Sequence, residues 1–147
     1  MKHLLLIATI LFLLCCKGEQ PITPATITSL EYGMEFGFSG ARVKIIVYPE
    51  KQIAVPDMRP GQTCEIAVSP TEWNELTSLF DEAAFKKVKV GEERICPDAG
   101  SEWIIARSSQ REIQAVWGGC TGGDSKPIQP LVNALQKRRQ LMLSTCM

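Results

Sequence analysis

Two stretches of alternating apolar and polar residues constrain the fold of this chain more than any other feature. Residues 102–107 and 112–117 each alternate with a period of two, and a short polar turn centred at 109–110 separates them. Because side chains two positions apart on a strand point to the same face, the pattern predicts an antiparallel β-hairpin as the fold nucleus. Its apolar face consists of Ile104, Ala106, Ile113, Ala115 and Trp117. On the other face, Arg107 is expected opposite Glu112 as a favourable charge pair.

The segments before the hairpin predict further strands. Four of them are rich in β-branched and aromatic residues, and they span 27–38, 41–48, 53–55 and 63–68. Together with two helices, this pattern predicts an α+β domain. We expect an antiparallel sheet of about five or six strands with one or two helices packed on one face.

The two predicted helices have recognisable starts. Ser69 and Glu72 form a capping box with a proline between them, and an apolar stripe at helical spacing follows from Trp73 onwards. The second helix is expected to begin within 127–130, where two prolines fit a first turn. The basic residues at 137–139 are predicted to lie in its last turns as a solvated end that complements the helix dipole.

The first fifteen residues have the pattern of an export signal. Lys2 gives a positive start, and residues 4–14 are apolar except for Thr9. A run of this length suits the apolar core of a signal peptide and is too short to span a bilayer, which takes roughly 20 residues. The alternative is a buried N-terminal helix, in which only Thr9 suits a position facing water.

The apolar run ends in Leu13, Leu14, Cys15 and Cys16, which resembles the lipobox of bacterial lipoproteins. In that motif an aliphatic residue lies three positions before a cysteine that is acylated and becomes the mature N-terminus. Cys16 fits, with Leu13 three positions before it, whereas Cys15 would follow the large Leu14 directly. The resemblance implies a lipid-anchored protein of the cell envelope, at the outer membrane facing the periplasm or at the cell surface. Two or more acyl chains hold a protein stably on a membrane.

This interpretation divides the chain into three parts: a signal peptide at 1–15, a lipidated N-terminus and tether at 16–26, and a single domain at 27–147. Removal of the signal takes away Lys2 and the only histidine, His3. The 16 Lys and Arg fall to 15 against 16 Asp and Glu, so the net formal charge becomes −1. This balance argues against a nucleic-acid partner, which normally demands a basic face.

Four of the six cysteines lie beyond Cys16, and an even number in an exported domain favours disulfides. Cys96 and Cys120 flank the hairpin, whose pairing brings them towards the limit of about 7 Å between Cα atoms that a disulfide requires. Cys64 and Cys146 then pair by elimination. The competing interpretation is a zinc site made of all four thiolates, although no two cysteines are spaced as C-x-x-C.

The predicted mature chain contains no histidine, which removes Ser-His-Asp and Cys-His arrangements and histidine-ligated metals. No catalytic residue, metal or cofactor is predicted. Three carboxylates could converge at the mouth of the hairpin as a binding site, namely Asp98, Glu102 and Asp124. The alternative interpretation is that Asp98 is an ordinary turn residue.

The leading functional hypothesis is a lipid-anchored envelope protein that binds or stabilises an unidentified envelope protein or ligand without catalysis. Two alternatives come from other classes. A small carboxylate-dependent hydrolase would need two carboxylates about 5–10 Å apart in a cleft. An inhibitor would present the disulfide-braced hairpin tip at 108–111 as a rigid, exposed loop.

Overall fold

The computed structural model describes residues 20–37, 39–56, 63–89, 100–118 and 123–146. The strands are β1 (Ile27–Glu35), β2 (Arg42–Val47), β3 (Lys51–Pro56), β4 (Cys64–Ala67), β5 (Ser101–Ser108) and β6 (Glu112–Gly118). The α-helices are α1 (Pro70–Ser78), α2 (Glu82–Phe85) and α3 (Gln129–Cys146), and short 3-10 helices span Pro24–Thr26 and Lys126–Ile128.

The six strands form one antiparallel sheet in the order β4-β3-β2-β1-β5-β6. The predicted α+β class is confirmed, with β1 between β2 and β5 near the middle and the β5–β6 hairpin at one side. The predicted hairpin register is also confirmed. Ile104 lies opposite Ala115, and Arg107 lies opposite Glu112, to which its Nε donates at 2.9 Å.

One face of the sheet carries the core. Alternation places buried side chains of β1, β2, β5 and β6 on that face, and buried side chains of α1 and α3 join them in a single cluster. The most buried members are Leu30, Tyr32, Ile45, Val47, Ile104, Ala106, Leu131, Leu135 and Met142. The helices therefore pack on one face of the sheet, as predicted.

Helix α1 begins as the sequence predicts. The N–H of Ser69 donates to Oε2 of Glu72 at 2.8 Å, and the Ser69 hydroxyl accepts from the N–H of Glu72 at 3.3 Å. Trp73 is buried. The helix ends at Ser78, and of the two apolar residues that follow it, Leu79 is 39% exposed and Phe80 is buried.

The predicted solvated end of the last helix is wrong in two respects. Helix α3 continues to Cys146, so residues 137–139 lie well before its last turn. Arg138 and Arg139 also point inward. Nη2 of Arg138 lies 2.8 Å from Oε1 of Glu72, and Arg139 lies over the Tyr32 ring at 5.7 Å from its centroid. Pairing with a carboxylate and an aromatic face permits these guanidinium groups to leave bulk water.

Cys64 and Cys146 form a disulfide with their Cα atoms 6.0 Å apart, as inferred from the sequence by elimination. The bond joins the edge strand β4 to the last turn of α3. It contradicts the four-thiolate zinc alternative, because a disulfide leaves no thiolate at either position. Cys96 and Cys120 lie outside the described residues.

The domain begins earlier than the predicted boundary at residue 27. Ile22 is 3% exposed and belongs to the core cluster, and a 3-10 helix at Pro24–Thr26 leads from it into β1. Residues 20–26 therefore pack on the domain instead of forming part of an extended tether. A single apolar residue carries no periodicity, so the sequence pattern does not reveal this anchor.

Candidate functional site

The structure describes two of the three carboxylates predicted at the hairpin mouth, and these two lie in different surroundings. Asp98 lies outside the described residues. Asp124 is a turn residue, whose Oδ1 accepts from the N–H of Lys126 at 2.9 Å and whose backbone forms an isolated bridge with Lys89. Glu102 points to the helix-covered face, opposite Trp117.

Glu102 belongs to a polar cluster between the sheet and α3. The Tyr32 hydroxyl donates to Oε2 of Glu102 at 2.5 Å, and Nε2 of Gln136 donates to the same oxygen at 3.4 Å. Burial, and then the hydrogen bond to Glu102, raise the pKa of Tyr32 to about 12. Arg139 covers the Tyr32 ring and contacts the Met34 sulfur. The Glu102 carboxylate therefore already has two donors from the chain itself.

A groove of about 470 Å³ lies at the end of the sheet beside Glu102. Its lining includes Met34, Glu35, Phe36, Gly100, Glu102 and Gly118, and Phe36 is 47% exposed. Met34 is the register partner of Glu102, so its neighbour Glu35 points to the opposite face of the sheet. Glu35 is paired there with Nε of Arg42 at 3.0 Å. The two carboxylates of this groove therefore do not face one another as an acid–base pair.

A second groove, of about 370 Å³, lies between α1 and α3. Leu76, Leu79 and Leu141 form its apolar floor and rim, and Glu75 and Lys137 flank it. Leu141 is 49% exposed. Glu72 and Arg138 also line it, so this groove is an apolar strip with two charges of each sign beside it.

Four residues from three distant parts of the chain meet at the end of the sheet that carries the β5–β6 turn. We call them the N-terminal clamp: Gln20, Ile22, Glu82 and Arg111. Arg111 donates from Nη2 to Oε2 of Glu82 at 2.6 Å and from Nε to the carbonyl oxygen of Gln20 at 2.8 Å. The N–H of Ile22 donates to the same Glu82 oxygen at 2.6 Å. Lys86 lies 2.8 Å from the other oxygen.

Local sequence explains why Glu82 is held in place. Asp81 is the N-cap of α2, and its Oδ1 accepts from the N–H of Ala83 at 2.8 Å. Phe85, at the end of this short helix, is buried against Phe80 with the ring centroids 5.0 Å apart. A capped helix with a buried aromatic fixes the first-turn carboxylate that the N-terminal clamp uses.

The N-terminal clamp also accounts for the hairpin tip. The Arg111 side chain is only 17% exposed because it is bound to Glu82 and Gln20. The Ser108 hydroxyl accepts from the N–H of Arg111 at 3.2 Å and closes the turn. Ser109 and Gln110 remain exposed. The tip is thus attached to its own domain at Arg111, which disfavours the inhibitor that presents 108–111 as a free loop.

The N-terminal clamp should make stability depend on pH in the acid range. The hydrogen bond from Arg111, followed by that from Lys86, lowers the pKa of Glu82 from 4.5 to about 2. A carboxyl group with a lowered folded-state pKa contributes stability above its unfolded pKa, and this stability is lost as pH falls from about 4.5 to 2. Glu82→Gln lacks this carboxylate. Its free energy of unfolding should therefore fall less than that of the wild type between pH 5 and pH 3 in urea titrations.

Glu75→Gln is the matched control, since Glu75 is an exposed helix residue. Its stability should follow the wild-type pH dependence. Glu72, whose pKa is lowered by its hydrogen bonds to Ser69, keeps its own contribution in both variants. Equal acid losses in the wild type and Glu82→Gln would contradict the role assigned to Glu82.

No protein-family model and no curated protein matches this chain. Among the helices in the described part of the chain, none combines the length and apolar character needed to cross a bilayer. Within the same residues, no three His, Cys, Asp or Glu side chains are grouped as a metal site would require.

Proposed function

We propose that this protein is a lipid-anchored component of the bacterial cell envelope whose domain binds or stabilises a partner there without catalysis. The Cys64–Cys146 disulfide is the structural observation that carries the proposal. Disulfides persist in oxidising compartments outside the cytoplasm, which is where an export signal delivers a chain. The Leu13-to-Cys16 motif adds the means of attachment.

The arrangement of carboxylates favours binding over hydrolysis. A hydrolytic pair needs two carboxyl groups about 5–10 Å apart that face the same substrate. Glu35 and Glu102 point to opposite faces of the sheet and are engaged by Arg42 and Tyr32, respectively. Both carboxylates are held by side chains of the domain itself, so we propose the hydrolase only as the weaker alternative.

Cys16→Ser should abolish acylation and retain the signal peptide, because the acyl chains are attached to this sulfur in the lipobox pattern. Metabolic labelling with an alkyne-bearing fatty acid, followed by mass spectrometry of the N-terminal peptide, would measure both effects. Cys15→Ser is the matched control and should remain acylated, since serine is also small. An intact Met1, or an unmodified Cys16, in the wild-type protein would contradict the proposal.

A further inference from the structure

The chain between the predicted lipid anchor and the folded domain is very short. Gln20 is fixed by Arg111, so only residues 17–19 separate Cys16 from the first residue of the N-terminal clamp. Four Cα–Cα steps span at most about 14 Å when fully extended. A domain of this size has a radius of gyration of about 14 Å, so this connecting segment is too short for the domain to turn over on the membrane.

The N-terminal clamp lies at one end of the strands. Ile27, where β1 begins, pairs with Ser108 beside the hairpin turn, and Arg111 completes that turn. Met34 and Glu102 pair near the other end of the strands. Met34 is seven residues after Ile27, which corresponds to about 24 Å at the rise of an antiparallel strand. The short connecting segment would therefore hold the hairpin end towards the bilayer and the Glu102 groove away from it.

The surface beside the N-terminal clamp carries cations that suit this position. The Lys86 side chain is 68% exposed although it pairs with Glu82, and Lys87 is also exposed. The acidic groups that contact the N-terminal clamp are occupied, because Glu82 binds Arg111 and Ile22 and Asp81 caps α2. Glu112, which follows Arg111, is 60% exposed and pairs with Arg107. Exposed lysines near a membrane surface attract anionic headgroups.

We infer that the hairpin end of the domain rests on the membrane surface, with Lys86 and Lys87 against phosphate headgroups, and that the Glu102 groove faces away from the bilayer. The inference rests on the proposed lipid anchor. It identifies the partner of this surface as the headgroup layer in which the acyl chains are embedded. It also places the exposed Phe36 where a soluble or surface partner can reach it.

The test compares two tether lengths on the same anchor. Full-length acylated protein is reconstituted in vesicles of phosphatidylcholine with phosphatidylglycerol, alongside a variant with a Gly-Ser insertion of about 20 residues after Lys17, which would let the tether reach well beyond the headgroups. Lysines are labelled with a membrane-impermeant amine reagent and read by mass spectrometry. Thermal melts of both proteins check that the insertion leaves the fold unchanged.

In the short-tether protein, Lys86 and Lys87 should be labelled at least about threefold less than in the long-tether variant. The short connecting segment and the headgroup charge would both hold them at the membrane surface. Lys44 is the internal control, because it pairs in register with Gly33, six residues along β1 from Ile27. Its labelling should be the same in both proteins.

The outcomes separate the orientation from the anchor. If mass spectrometry confirms acylation of Cys16 but Lys86 and Lys87 are labelled equally at both tether lengths, the orientation is wrong and the lipid anchor stands. Stronger protection of Lys44 than of Lys86 and Lys87 would mean that the opposite end faces the membrane. An unmodified N-terminus would overturn both proposals.

Discussion

Replacing Cys64 and Cys146 together by serine should lower the free energy of unfolding by about 4.5 kcal/mol in the chain-entropy description, since the bond closes a loop with a sequence separation of 82. The cross-link removes extended conformations of the unfolded chain, and a longer loop removes more of them. A loss of this size is a large part of the stability of a small domain. Chemical denaturation of the wild type and the double variant measures it.

Reduction provides the control and tests a second bond. The double variant should be compared with and without reductant, because the remaining predicted pair is Cys96 and Cys120. A further loss on reduction would report that second disulfide, which the hairpin register predicts from the sequence. A difference below about 1 kcal/mol between the oxidised wild type and the double variant would contradict the Cys64–Cys146 bond as a stabilising link.

The Cys64–Cys146 bond also joins an edge strand to the long helix. Strand β4 has four residues and lies at the edge of the sheet, so it pairs with β3 alone. The disulfide ties this strand to the end of α3, while Arg138 ties the middle of α3 to Glu72 in α1. The long helix is therefore held at two points, covalently to the edge of the sheet and ionically to α1.

The sequence predicts those features of the fold that local chemistry determines. The hairpin register follows from a period of two and a short turn, and the start of α1 follows from the Ser69–Glu72 capping box. Each of these depends on residues within a few positions of one another. The strand boundaries, by contrast, differ by a few residues because strand ends depend on pairing partners as well as on composition.

The N-terminal clamp could not be predicted in this way. Ile22 and Glu82 are 60 residues apart, and Arg111 is a further 29 residues beyond Glu82. Nothing in a single sequence distinguishes these charges from ordinary surface charges, since their pairing depends on how α2 docks on the hairpin. The same reason explains Arg138 and Arg139, whose partners Glu72 and Tyr32 lie on other elements.

The N-terminal clamp and the Glu102 groove give the domain two unlike ends. At one end, Arg111 and Glu82 fix the segment through which a lipid anchor would pull. At the other, Phe36 and the groove beside Glu102 remain accessible. A domain that rests on its hairpin end and presents a groove at its distal end has the geometry of a membrane-held binding module, which is the function that we propose.

Trp73→Ala should destabilise the domain by about 3–5 kcal/mol, the usual cost of truncating a buried tryptophan. Trp73 is 9% exposed and belongs to the cluster that α1 and α3 form on the sheet. Removal of the indole ring takes away its apolar burial and leaves a cavity between α1 and the strands. Denaturant titration at neutral pH measures the loss.

Trp103→Ala is the matched control, because it makes the same substitution on the opposite face of the sheet. The Trp103 ring is half-buried, occupies the space beside Gly33 where a Cβ atom would lie, and donates from Nε1 to Oε1 of Glu31 at 3.2 Å. Since water already reaches part of this ring, its truncation should cost only about 1–2 kcal/mol. If Trp103→Ala costs as much as Trp73→Ala, the helix-covered face is not the principal core. A loss below about 1 kcal/mol at Trp73 would show instead that its ring lies in an accessible groove on α1.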